Sequence, residues 1–235
     1  MAVSTQKTAF WRGLRNGAPF LVMAVPFAAL FGVVAADAGL QLAQTIGFSL
    51  LVIAGAAQFA ALQLMLENTS IALILIAALA VNLRMAMYSA ALVPHLGAAP
   101  FWQRALVAYV NFDQSYMLSV LEYEARPEMS VAEKVWYFLG VAALIAPAWV
   151  LASIAGAVLG TQLPPSDALD FMVPIMFLAM VGPMLKSLAH VMAAFTSVVA
   201  GLALAGLPSG SGLLLAAFCA MVVGALVETA MERRA

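Results

Sequence analysis

Long apolar segments separated by short polar ones make up almost the whole chain. Uncharged stretches run over residues 16–36 and 38–66, and a third apolar stretch at 70–92 contains a single charged residue, Arg84. A transmembrane helix needs about 20 consecutive apolar residues. The pattern therefore predicts three membrane spans in this part of the chain, and the second, which is longer than a bilayer requires, should be long or tilted.

The second half of the chain continues this pattern with more Pro and Gly. Further apolar stretches lie at 102–121, 135–166, 169–185 and 187–227. Pro208-Ser-Gly-Ser-Gly212 divides the last one into two spans. We therefore predict an all-α integral membrane bundle of about eight transmembrane helices, forming a single polytopic transmembrane domain over residues 1–235. The sixth and seventh spans are short and closely joined, so seven spans with a re-entrant pair is the alternative.

Composition supports a membrane protein and excludes several other classes. The chain is 65% hydrophobic and 9% charged, whereas soluble domains carry about 25% charged residues. A net charge of −1 and the lack of a basic cluster do not support nucleic-acid binding. We expect no enzymatic activity, metal or cofactor, because the sequence contains neither a His-Glu-x-x-His motif nor a nucleotide-binding loop.

The distribution of basic residues predicts the orientation of the spans. With eight spans, one set of segments carries nearly all of them: Lys7, Arg12, Arg15, Arg126, Lys134, Lys186, Arg233 and Arg234. The opposite loops carry none, apart from Arg104 at the start of the fourth span. By the positive-inside rule, both termini of this multi-pass protein should lie in the cytoplasm.

Proline residues predict broken helices in the first and sixth spans. Pro19 and Pro26 lie in the first, and Pro174 and Pro183 in the sixth. A proline inside a helix leaves the carbonyl four residues earlier without its partner. Transporters use such breaks to form substrate sites near the middle of the membrane, although packing alone also explains single prolines.

Arg84 lies near the middle of the third span, where a charge costs several kcal/mol. It should therefore face the interior of the bundle, with Asn82 and Tyr88 at a similar level. Asp113 is the candidate partner, because the two residues lie roughly 12 and 16 Å from the outer ends of adjacent antiparallel helices. Tyr109, Asp113 and Tyr116 should share one face of the fourth helix. The pair is interpreted as a substrate and proton site, or alternatively as a structural clamp.

Small residues around Gln58 predict a close helix approach that brings this amide to an interface. We expect Arg84 or the N-terminus of a broken helix to bind a carboxylate. Apolar side chains, with Phe20, Phe27 and Phe59 as candidates, would contact an aliphatic group. Asp113 would carry the proton.

Several motifs resemble those of the AzlC-type branched-chain amino acid exporters, and together they cover almost the whole chain. They are Arg12-Gly-Leu-Arg-Asn-Gly-Ala-Pro-Phe20, Pro26-Phe-Ala-Ala-Leu-Phe-Gly32, Ala54-Gly-Ala-Ala-Gln-Phe-Ala60, Val81-Asn-Leu-Arg84 with Tyr88, Asp113-Gln-Ser-Tyr116 and Gly206-Leu-Pro-Ser-Gly-Ser-Gly-Leu213. One departure is Met85, since many members have His after Asn-Leu-Arg.

The resemblance implies a large subunit that exports branched-chain or other small hydrophobic amino acids across the inner membrane. A proton antiporter fits the buried charges, and the resemblance also implies a small four-helix AzlD-type partner in the bilayer. Whether the chain forms a homo-oligomer is left open. The alternatives are an uncoupled channel or a structural subunit of a membrane complex.

Overall fold

The computed structural model describes residues 5–161, 175, 178, 185–207 and 211–233, and this part of the chain consists of helices joined by short turns. The helices are α1 (Gln6–Gly17), a 3₁₀ turn (Ala18–Phe20), α2 (Leu21–Asp37), α3 (Leu42–Leu51), α4 (Gly55–Leu66), α5 (Ile71–Leu96), α6 (Phe101–Tyr109), α7 (Asp113–Ala125), α8 (Val131–Gly160), α9 (Leu188–Ala203) and α10 (Ser211–Glu232). The chain divides into two compact units: residues 1–59 with 79–163, and residues 60–78 with 164–235. That the whole chain forms one transporter domain stays a prediction.

Four helical segments in the described part are long and apolar enough to cross a membrane: Gln6–Asp37, Ile71–Leu96, Val131–Gly160 and Leu215–Glu232. The predicted all-α membrane bundle is confirmed. The predicted second and fourth spans are each replaced by two short helices. The sixth span, with Pro174 and Pro183, lies almost wholly outside the described residues.

The first unit is built on α1 and α2 packed along α8. A Cβ added at Gly13 would overlap the backbone of Tyr137, and one added at Gly32 would overlap that of Ser153. Residue numbers increase in the same direction along α1–α2 and along α8, so these helices run parallel. They therefore begin at one end of the unit and finish at the other. We call these ends the Arg12 end, where α1 and α8 begin, and the Asp37 end, where α2 and α8 finish. Glycine allows this close approach because it has no side chain.

Proline affects the first span differently at its two positions. Pro19 lies in the 3₁₀ turn, where the helix tightens between α1 and α2. Pro26 lies inside α2, and the α-helix continues through it. Similarly, α5 continues through Pro94 to Leu96, beyond the end of the apolar stretch at 70–92.

The stretch 38–66 is a helical hairpin of α3 and α4, not one long or tilted helix. Gln58 Nε2 donates to Ser49 Oγ across 3.4 Å, whereas nine residues of continuous helix would separate them by about 13.5 Å. The helix ends at Leu51, and a new one begins at Gly55. Helix α3 enters from the Asp37 end. Phe59 of α4 packs on both Phe27 and Phe31, so the chain turns back toward the end from which it entered.

The predicted fourth span is a second helical hairpin, made of α6 and α7. Asp113 contacts Arg84, Tyr116 stacks on Tyr88, and Tyr123 lies beside His95. Helix α7 therefore runs parallel to α5, although a single fourth span would have to run antiparallel to it. The prediction of antiparallel helices at Arg84 and Asp113 is wrong, and so is the shared helical face of Tyr109 and Asp113, because the helix ends between them.

This second hairpin starts and finishes at the Arg12 end. Lys134 Nζ lies 3.5 Å from His95 Nδ1, and Arg12 forms an ion pair of 2.7 Å with Glu122. The turn after α5, residues 97–100, therefore lies at the same end as the 122–134 loop, not opposite to it as predicted. Arg104 is then no exception to the distribution of basic residues, because it lies near this same end.

The second unit contains α9 and α10, which pack closely as an antiparallel pair. Gly212 at the start of α10 lies against Leu204 just after α9, and Gly224 faces Ala193. Both helices carry large exposed apolar side chains, including Phe195, Leu202, Phe218 and Leu226. In a membrane protein such faces contact lipid or another subunit.

Candidate functional site

The predicted ion pair of Arg84 and Asp113 is present in the first unit, and both side chains are partly exposed. Arg84 Nη1 lies 2.9 Å from Asp113 Oδ2, and the two side chains are 31% and 39% exposed. Asp113 is in the first turn of α7, where the helix dipole favours a negative charge by about 0.3–1 kcal/mol. The carboxylate is thus stabilised from two directions and stays accessible to a small molecule.

A tyrosine completes the coordination of this carboxylate. The Tyr88 hydroxyl donates to Asp113 Oδ1 across 3.1 Å. The Tyr88 ring is stacked on Tyr116 with centroids 4.2 Å apart and an interplanar angle of 8°. Stacking holds the hydroxyl in position, so both oxygens of Asp113 accept a hydrogen bond.

The break between α6 and α7 is stabilised by side chains of its own sequence. Ser115 Oγ accepts the Phe112 N–H at 2.9 Å and donates to carbonyls at the break. Asn111 Nδ2 donates to Ser89 Oγ at 3.2 Å and to the Met85 carbonyl at 3.4 Å. These contacts satisfy backbone and side-chain groups that would otherwise be unpaired in a membrane.

The tips of the two hairpins meet. Tyr109, the last residue of α6, donates its hydroxyl to the carbonyl of Leu50 near the end of α3 across 2.6 Å. The sequence places Tyr109 with Asp113, whereas the structure directs it to the other hairpin. The hydrogen bond joins two interrupted helices that enter from opposite ends of the unit.

Gln58, Phe27 and Phe59 form a separate group around the N-terminus of α4. Their neighbours complete an aromatic cluster, which consists of Phe27, Phe31, Phe48, Phe59 and Trp149. A Cβ at Gly55 would lie 2.7 Å from the Phe27 ring and 2.5 Å from the Trp149 ring. Both phenylalanines are buried. The cluster is packed closed in this conformation.

The other predicted site residues lie apart from these two groups. Phe20 is half-buried at the edge of the main apolar core of the first unit. Asn82 lies two residues before Arg84, and its Oδ1 is buried without a hydrogen-bond partner among the described residues. Gln58 Oε1, Asn111 Oδ1 and Arg84 Nε share this property. These are groups that water or a ligand would satisfy.

Sequence reasoning did not assign roles to Ser89, Tyr116 and Trp149. The signal for the second helix break was nevertheless visible. Asn111, Asp113 and Ser115 occur within five residues, and these residue types favour caps and turns over helix interiors. No comparable cluster marks the first break, at 52–54.

A family model described as AzlC protein matches residues 19–163, which is more than half of the chain. The chain belongs to the AzlC family. The matched region of this AzlC-family protein begins at Pro19 and covers α2 to α8, including both hairpins, Arg84 and Asp113. No curated protein and no solved structure matches the chain. AzlC is a transporter family, so this is a multi-pass membrane transport protein.

Proposed function

We propose that this AzlC-family protein exports branched-chain or other small hydrophobic amino acids across the cytoplasmic membrane in exchange for protons. The observation that supports this most is the Arg84–Asp113 pair, which is partly exposed beside the break in the second hairpin. A positive and a negative group 2.9 Å apart are complementary to the carboxylate and ammonium of one zwitterion. An amino acid can therefore separate the pair and replace each partner.

Substrate and proton compete for the same atoms in this arrangement. The substrate ammonium needs the ionised carboxylate of Asp113, while Arg84 binds the substrate carboxylate through its planar fork. Protonation of Asp113 removes the acceptor for the ammonium group. Competition of this kind gives exchange, because the site carries an amino acid in one direction and a proton in the other.

Charge balance gives the direction of transport. With a zwitterion bound, Arg84 and Asp113 cancel and the loaded site is neutral. With a proton bound, the site carries the charge of Arg84, so it is drawn toward a negative cytoplasm. One charge moving through 100 mV is worth about 2.3 kcal/mol, which favours amino-acid export.

The two hairpins suggest how access alternates. In this conformation the aromatic cluster that includes Phe27 and Phe59 is closely packed next to Gln58 of α4. We propose that this packing blocks access to the site from that side, and that the cluster opens to release substrate. The Arg12 end, which carries Arg12, Arg126 and Lys134, would face the cytoplasm by the positive-inside rule. A small four-helix AzlD-type subunit is proposed to cover exposed apolar faces.

Transport in proteoliposomes tests this proposal. Vesicles containing the chain, alone or co-expressed with the small subunit, are loaded with labelled leucine, valine or methionine. An imposed pH gradient should drive movement of the label by the unmodified protein. Asp113→Asn should lose the response to the gradient and should also weaken exchange between substrate pools, because the neutral amide, like the protonated carboxyl, lacks the charge that binds the substrate ammonium.

Asp37→Asn is the matched control, because it makes the same chemical change at an exposed residue at the end of α2. It should leave gradient-driven transport intact. Movement of label that ignores both the gradient and Asp113→Asn would instead indicate an uncoupled channel. A normal gradient response by the double variant Arg84→Gln with Asp113→Asn would reduce the pair to a structural clamp.

A further inference from the structure

A cavity of about 310 Å³ lies between α5 and α6 in the first unit. Its walls are mostly apolar, and polar groups occur at its two extremities. Leu92, Val93, Leu96, Val107 and Ala108 form the walls. Asn111 and Ser89 lie at one extremity, and Arg104 lies with Gly97 at the other, beside the turn that joins the two helices.

The inner extremity of this cavity lies next to the ion pair. Ser89 follows Arg84 by five residues, or about 7.5 Å along α5, and Asn111 precedes Asp113 by two. The Asn111 amide bonds to Ser89 and to the Met85 carbonyl, so it separates the cavity from Arg84. Its Oδ1 is buried and has no partner among the described residues. An amide acceptor is thus available where an ammonium group would pass.

The outer extremity faces the Arg12 end. Arg104 is exposed there and offers a positive charge to a carboxylate. Ligand pockets range from about 300 to 1,000 Å³, so this cavity suits a ligand at the small limit. The five aliphatic residues of its walls favour an aliphatic group of the ligand over a polar or charged one, because burying an unpaired polar group is unfavourable.

We infer that this cavity is the aliphatic side-chain pocket and access route for substrate at the Arg12 end, with Ala108 limiting side-chain size. The inference rests on the proposed function and extends it to the residues that select the substrate. Arg104 attracts the carboxylate, the apolar walls receive the branched side chain, and Asn111 moves aside to admit the head group to Arg84 and Asp113.

Narrowing the cavity should change selectivity. Ala108→Leu adds three carbons to one wall, and Ala108→Val adds two. In proteoliposomes, we expect Ala108→Leu to raise the KM for leucine about tenfold or more, the scale on which a pocket discriminates a methylene. The KM for alanine should change by less than about threefold. Ala108→Val should raise the KM for leucine more than the KM for alanine as well, but by a smaller factor. It provides a second test of the cavity in case Ala108→Leu does not fold.

Ala105→Leu is the control, because Ala105 and Ala108 are both exposed on the same helix, but only Ala108 lines the cavity. It should leave the ratio of the two KM values unchanged. Unaltered ratios in both Ala108 variants, with normal transport by the unmodified chain, would overturn the pocket and leave the proposed function standing. Equal loss of leucine and alanine transport would also overturn it, since a lipid groove needed only for folding predicts that result. If the unmodified chain moves no amino acid either alone or co-expressed with the small subunit, both proposals fall.

Discussion

Arg84 and Asp113 each supply the oppositely charged partner that the other needs in a membrane. A charge in the middle of a membrane costs several kcal/mol unless it is paired or hydrated. Here Asp113 accepts from Arg84 and Tyr88 and lies in the first turn of α7. Arg84 keeps a buried Nε without a partner among the described residues. A donor in this state is available to a second carboxylate.

Replacement of Arg84 should separate its structural role from its binding role. Arg84→Gln leaves Asp113 without its ion pair, so it should lower the free energy of unfolding by roughly 1–3 kcal/mol, between the values for exposed and buried pairs. Arg84→Gln with Asp113→Asn should lose less, because no unpaired charge remains. Thermal unfolding in one detergent measures both.

Arg84→Lys retains the charge and loses the planar fork. It should unfold at nearly the temperature of the unmodified protein and bind leucine roughly tenfold more weakly, or about 1.4 kcal/mol. Full leucine affinity in Arg84→Lys would show that the guanidinium does not hold the substrate carboxylate.

At the scale of elements, the closely packed helices and the interrupted helices lie in different parts of the first unit. Helices α1, α2 and α8 approach so closely that a Cβ at Gly140 or Gly156 would overlap backbone of the facing helix. The hairpins α3–α4 and α6–α7 instead each contain a break between their two helices, and a few side-chain hydrogen bonds stabilise it. We expect the paired long helices to form the fixed frame against which the hairpins move.

A glycine comparison tests the frame. Gly156→Ala places a methyl group onto the carbonyl of Ala29, and overpacking of this kind costs about 1–3 kcal/mol. Gly47→Ala makes the same change inside α3, where nothing lies within 4 Å of the new Cβ. It should be neutral or stabilising by up to about 1 kcal/mol, because alanine favours helix. Equal unfolding temperatures for the two variants would contradict tight packing of α2 on α8.

At the scale of the whole molecule, a long helical segment followed by a helical hairpin occurs twice between residues 6 and 125, and the parts of each that lie in the first unit give their directions. Helices α1 and α2 run from the Arg12 end, and α3–α4 then enters from the Asp37 end. Helix α5 runs toward the Arg12 end from Leu79 onward, and α6–α7 enters from there. The two halves therefore have opposite orientations, as in transporters whose inverted repeats form a site at mid-membrane.

Labelling of single cysteines distinguishes this topology from eight simple spans. In a background with Cys219→Ala, cysteines at Ala98 and Glu128 should be labelled from the same side of the membrane, and one at Asp37 from the opposite side. The reason is that the turn after α5 and the loop before α8 share the Arg12 end. Opposite labelling at Ala98 and Glu128 would restore a simple fourth span.

The sequence by itself determined the membrane class, the helical fold and the pairing of Arg84 with Asp113. The first two follow from segment composition, and the free energy of a charge in lipid requires a partner for Arg84. Asp113 was predicted as that partner from antiparallel helices, whereas α5 and α7 run parallel. Whether a 20-residue apolar stretch crosses the membrane or turns back is different, because both arrangements bury the same residues. Packing decided it: Gln58 reaches Ser49, Tyr109 reaches Leu50, and Tyr123 reaches His95. The cavity at Ala108 and Asn111 likewise exists only because α6 returns along α5, and contacts between segments distant in sequence set that return.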